Sequence, residues 1–81
     1  MGPKLFDDTG GFHFFSVYGD LKERPHAHVR GGGGSAKIWL DTMEIAEVYG
    51  LTNMEIRKVM QILAPKQKEA LAKWRFKQLP I

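Results

Sequence analysis

Between Pro25 and Leu40 small or apolar side chains alternate with polar, basic or aromatic ones, and four glycines stand in the middle of the run. Successive side chains of a β-strand point to opposite faces, so His26, His28 and Arg30 share one side while Ala27 and Val29 share the other. Gly31-Gly32-Gly33-Gly34 supplies the positive φ angles of a tight reversal, and Ser35-Ala36-Lys37-Ile38-Trp39-Leu40 resumes the alternation. The stretch predicts a β-hairpin. Folded symmetrically about the glycines, it sets Val29 against Ala36, Ala27 against Ile38, His28 against Lys37 and His26 against Trp39. One face is then apolar, and the other gathers two imidazoles, two cations and an indole.

The flanking segments are read the same way. Met1 to Gly11 holds the turn formers Asp7-Asp8-Thr9-Gly10-Gly11 and predicts an arm or a short edge strand. Phe12 to Tyr18 is aromatic and β-branched with apolar groups on both faces, which predicts a strand and leaves its inward face undecided. After Leu40 two readings compete. Asp41 and Glu44 have capping-box spacing for a short helix ending at Gly50, while a tight turn would lead instead into a strand from Glu44 to Val48.

The next boundary has one reading. Thr52 and Glu55 form a capping box, Leu51 and Ile56 a hydrophobic staple, and Ile56, Val59, Met60 and Leu63 recur at helical spacing, with Arg57, Lys58 and Gln61 away from that stripe. A helix lying on the sheet is predicted. Pro65 implies a break at Ala64-Pro65, followed by a second helix over Lys66 to Gln78 with Leu71 and Trp74 at its apolar centre. The expected fold is α+β: a three- or four-stranded, mainly antiparallel sheet with two C-terminal helices packed on one face.

Size and charge refine this picture. A chain of 81 residues makes one small domain, and such a chain buries only roughly 60–65 % of its unfolded surface, so a partner or a homodimer would help it. The absence of cysteine excludes a disulfide framework and thiolate zinc sites, and no long apolar run or secretory pattern is present. A cytoplasmic protein that does not engage a membrane is expected. The net charge of +3 is unevenly spread, since from Thr52 onward seven basic residues stand against two acidic ones. That asymmetry points to a polyanionic or acidic partner for the C-terminal end, with Lys66, Lys73 and Lys77 along one flank of the second helix and Lys68 and Arg75 along the other. Lysine stems beside a core-facing stripe are the plainer explanation.

The chemistry of the central hairpin has three readings. Same-face neighbours on a strand stand about 6.6–7 Å apart, so His26 and His28 can address one phosphate, with Arg30 and Lys37 supplying positive charge and Trp39 a stacking surface. These are the parts of a metal-independent RNA-cleaving site. A basic, aromatic sheet face equally suits binding of nucleic acid or protein without chemistry. The third reading, a His-x-His metal site, needs a third ligand, for which only Asp20, His13 and Asp41 are candidates. No cofactor is expected, because Gly31 to Gly34 lacks the Lys-Ser/Thr of a phosphate loop and no cysteine nucleophile or Gly-x-Ser-x-Gly elbow occurs. On any functional reading, alanine at His26, His28 or Lys37 is expected to spare stability, and alanine at Val29 or Ile38 to cost it.

The segments Pro25-His26-Ala27-His28-Val29, Ala36-Lys37-Ile38-Trp39-Leu40-Asp41, Gly50-Leu51 before a helix and Leu71-Ala72-Lys73-Trp74 resemble a family of small bacterial proteins known as domain of unknown function 4160. The resemblance covers roughly residues 12 to 76, and it implies a strand rather than a helix over Glu44 to Val48. This chain departs from the family pattern in carrying Arg24 where a second proline is usual. Some members are regarded as the toxin half of two-gene toxin–antitoxin systems. The resemblance thus implies a toxin-like protein acting on RNA or translation, neutralised by a small cognate antitoxin protein, and it carries no catalytic residues over.

Overall fold

The computed structural model describes residues 4–17 and 23–78, with side chains as far as residue 75. Four strands, β1 (Phe12–Phe15), β2 (His26–Gly31), β3 (Gly34–Trp39) and β4 (Ile45–Tyr49), form one sheet in the order β1-β2-β3-β4, each pair antiparallel. The β2–β3 register is the one the alternation predicts: Val29 opposite Ala36, Ala27 opposite Ile38, His28 opposite Lys37 and His26 opposite Trp39. Gly32 and Gly33 make the reversal at φ +60° and +86°, the positive values that a two-residue turn between right-twisted strands requires. The same device recurs at Gly10 and Gly11 (φ +60° and +86°), where Thr9 and Phe12 exchange two backbone hydrogen bonds of 3.0 Å. The arm from residue 4 onward therefore folds back along β1, bridging Lys4 to Phe15 and burying Leu5 and Phe6. β1 itself ends at Phe15, short of the predicted limit at Tyr18, which lies outside the described residues.

The segment after Leu40 is a turn and a strand, as the family resemblance implies. Asp41 accepts hydrogen bonds from the Thr42 backbone N–H at 2.8 Å and from Arg24 at 2.8 Å, and Met43 adopts φ +62°. The Asp41–Glu44 spacing thus builds a tight turn instead of capping a helix. A register shift between Lys37 and Ile38 sets Glu47 opposite Lys37 and Ile45 opposite Ile38.

Helix α1 (Asn53–Leu63) begins at the predicted capping box, with Glu55 N–H donating to Thr52 Oγ1 at 3.1 Å and Thr52 N–H to Glu55 Oε1 at 2.9 Å. Helix α2 (Gln67–Gln78) follows after one 3₁₀ turn at Ala64–Lys66, so Pro65 changes the helix type without turning the chain away. Gln67 Nε2 donates to the Leu40 carbonyl at 2.6 Å and ties the start of α2 to the end of β3. Val59, Leu63, Ala70 and Trp74 join Phe12, Phe14, Ala27, Val29, Ala36 and Ile38 in a single core, covering one face of the sheet. Among the described residues no helix is long and apolar enough to cross a membrane.

Candidate functional site on the outer sheet face

Strand parity places His13 and Phe15 of β1, His26, His28 and Arg30 of β2, Ser35, Lys37 and Trp39 of β3, and Glu47 and Tyr49 of β4 on the face away from α1. Their rings form a ladder across the sheet. Successive centroid distances are 4.9 Å from His13 to Phe15, 5.5 Å from Phe15 to His28, 4.9 Å from His28 to His26 and 5.8 Å from His26 to Trp39. Phe15 is itself buried beneath its neighbours, so the ladder has a shielded middle and half-buried margins at His13 and Trp39.

His26 does not reach solvent. Its exposure is 0 %, and its ring packs 6.1 Å from that of Trp74 of α2. Its Nδ1 lies 2.7 Å from the Arg24 carbonyl oxygen. A carbonyl only accepts, so the hydrogen bond assigns the proton to Nδ1. The expectation of an open face carrying both imidazoles is therefore corrected: His26 is enclosed, with the rings of His28, Trp39 and Trp74 packed against it. His28 is half-buried, between Phe15 and His26.

The cations are differently engaged. Arg30 is exposed, its guanidinium 5.5 Å from the Phe15 ring centroid, and has no carboxylate partner among the described residues. Lys37 Nζ donates to Glu23 Oε1 at 2.9 Å and sits 4.8 Å from the Trp39 centroid. Arg24 lies 4.6 Å from that same centroid and donates to both oxygens of Asp41, at 2.8 and 3.1 Å. Trp39 therefore already uses its π face for cations, and a base stacked there would compete with them. The Arg24 hydrogen bonds hold the Asp41 carboxyl below its ordinary value, and Asp41 in turn raises the Arg24 guanidinium. At the far margin His13 Nδ1 lies 2.8 Å from Asp8 Oδ1, and this bond lowers the Asp8 carboxyl.

A concavity of about 230 Å³ opens on this face, bordered by Phe15, His28, Arg30, Ser35, Lys37, Glu47 and Tyr49. Tyr49, 63 % exposed, is the aromatic most available for stacking among the described residues, and the sequence analysis did not single it out. The signal was present, because reading residues 44–48 as a strand puts Tyr49 beside Ser35 on the outer face.

Of the helical residues singled out from the sequence, Lys66 and Lys73 lie 3.8 and 3.6 Å from Glu69, which offsets one of their two charges, and Lys66 also sits 5.1 Å from the Phe6 ring centroid. The spacing of Lys66, Glu69 and Lys73 at i, i+3 and i+7 would have revealed the pairing. The side chain of Lys77, and Asp20 entirely, lie outside the described residues. Among the described residues no three His, Cys, Asp or Glu side chains gather in a way that would hold a metal ion.

A family model described as Domain of unknown function (DUF4160) matches residues 11–75, more than half of the chain. The chain belongs to the DUF4160 family. No curated protein and no solved structure matches it. The DUF4160 span takes in all four strands and the whole outer-face cluster, whereas the arm ahead of Gly11 lies beyond it.

Proposed function

We propose that this DUF4160 protein binds single-stranded RNA through the outer face of its sheet, as the toxin-like half of a two-gene pair acting on RNA or translation. The observation that carries the RNA reading is the concavity where half-buried His28, exposed Arg30, which has no carboxylate partner among the described residues, Lys37 and exposed Tyr49 converge. A cation without a counter-charge beside an exposed ring is what a phosphate and an unstacked base each need. The toxin setting rests on the family resemblance. Binding is favoured over cleavage because a base-and-acid pair needs two accessible imidazoles, and His26 is enclosed with Nδ1 committed to a carbonyl.

Fluorescence anisotropy with a 12-nucleotide oligouridylate tests the RNA reading. Tyr49→Ala removes a stacking platform worth about 1–3 kcal/mol per base, so Kd rises about 5- to 150-fold. Arg30→Ala lowers the salt dependence by about 0.7, the slope of one phosphate contact on a single strand. Expression of the wild type arrests growth, and His28→Ala or Arg30→Ala relieves the arrest. Oligouridylate affinity indifferent to both Tyr49→Ala and Arg30→Ala removes the sheet face as the RNA site.

A further inference from the structure

We propose a second, separate docking surface: the outward stripe of α1 and α2 from Met54 to Arg75 receives an acidic, amphipathic helix of a protein partner. Met54, Arg57, Gln61, Lys68 and Arg75 are all exposed. They follow one another at three-, four- and seven-residue steps, the spacing along which a second helix seats its side chains. The 3₁₀ turn at Ala64–Lys66 keeps the path helical, so the stripe runs unbroken. At 1.5 Å per residue it is roughly 30 Å long.

Charge names the partner. Lys66 and Lys73, on the flank, share Glu69. Arg57, Lys58, Lys68 and Arg75 have no carboxylate partner among the described residues, and Glu55, the carboxylate nearest in sequence to Arg57, is held by the Thr52 backbone N–H at 2.9 Å. An uncompensated row of cations favours an anionic occupant and is a less favourable neighbour for a basic one. Met54 is 80 % exposed at the edge of a concavity of about 540 Å³ that Arg57, Lys58 and Gln61 also line, which adds one adaptable apolar anchor at the N-terminal end of the stripe.

Two other anions fit less well. Among the described side chains the stripe offers no aromatic ring on which the bases of a single strand would stack. A lipid surface needs an apolar helix face, and here that face lies in the core through Val59, Leu63, Ala70 and Trp74.

The test uses the full chain and a synthetic 22-residue, alanine-based helical peptide with Glu along one face and a Leu pair at one end, followed by anisotropy in parallel with the oligouridylate. The wild type binds the peptide, and the Arg57→Glu, Lys68→Glu double variant weakens it at least tenfold while retaining RNA affinity. Replacing the peptide's Glu by Lys restores binding to that variant, which also shows that the variant is folded. Lys73→Gln, on the Glu69 flank, changes peptide affinity less than twofold. Failure of the wild type to bind the peptide, or equal loss in Lys73→Gln and the double variant, overturns the proposal. Loss of RNA affinity in the double variant assigns the stripe to nucleic acid and overturns it as well. The peptide outcomes do not depend on whether Tyr49 and Arg30 bind RNA.

Discussion

His26→Ala tests the division between support and function on the outer sheet face. The imidazole is 0 % exposed and packs against His28, Trp39 and Trp74 at 4.9, 5.8 and 6.1 Å. Truncating a fully buried phenyl ring to a methyl costs about 3–5 kcal/mol, and the smaller imidazole somewhat less. Loss of its hydrogen bond to the Arg24 carbonyl adds about 1 kcal/mol. A total near 2–4 kcal/mol follows, against roughly 4–12 kcal/mol for a domain of this length. At about 4–8 °C per kcal/mol, Tm falls by roughly 8–32 °C. Urea unfolding followed by tryptophan fluorescence, beside thermal circular dichroism, measures both quantities. Arg30→Ala, at an exposed position without an ion pair among the described residues, stays within about 0.5 kcal/mol of the wild type in the same assays. His26→Phe, which keeps a ring and loses the donor, and His26→Gln, which keeps a donor and loses the ring, apportion the cost. A folded His26→Ala protein within about 0.5 kcal/mol of wild type would refute the reasoning.

Two further predictions concern the turns. Gly32→Ala destabilises more than Gly33→Ala in the same denaturant series: both have positive φ, but a Cβ at Gly32 runs into the Glu55 carboxylate of the α1 capping box, whereas one at Gly33 meets nothing within 4 Å. Equal costs would mean that the hairpin tip does not rest on the helix start. Asp41 has a folded pKa depressed below its ordinary 3.8, chiefly by its hydrogen bonds from Arg24. Its contribution is therefore complete above the unfolded value and lost as pH falls through the folded one. Stability measured from neutral pH downward declines less steeply below about pH 4 in Asp41→Asn than in the wild type, and an unchanged acid limb would contradict the pairing.

The parts of this fold legible in the sequence are those set by neighbours along the chain. Alternation on either side of the glycines fixed the β2–β3 register, and the Thr52–Glu55 box fixed the start of α1. The paired glycines at 10 and 11 carried the same turn signal as those at 32 and 33, yet the arm was not resolved as a hairpin because the residues before it hold only a short apolar pair. Local spacing at Asp41 and Glu44 allowed both a helix and a strand, and the carboxylate that would have capped the helix is taken by Arg24, far back in the chain. The burial of His26 was hidden for the same reason. Parity assigned it correctly to the outer face, but nothing near it in sequence says that Trp74 packs against it. Of the candidate site, Arg30 and Lys37 were placed by alternation alone, while Tyr49 required knowing that β4 pairs with β3.

The most direct test of the RNA-binding account is titration of the ¹⁵N-labelled protein with single-stranded oligouridylate, followed by amide chemical shifts. The account predicts perturbations concentrated at His28, Arg30, Ser35, Lys37 and Tyr49, with Val59 and Leu63 unmoved. Perturbations confined to Arg57, Lys68 and Arg75, or none at millimolar RNA, would contradict it.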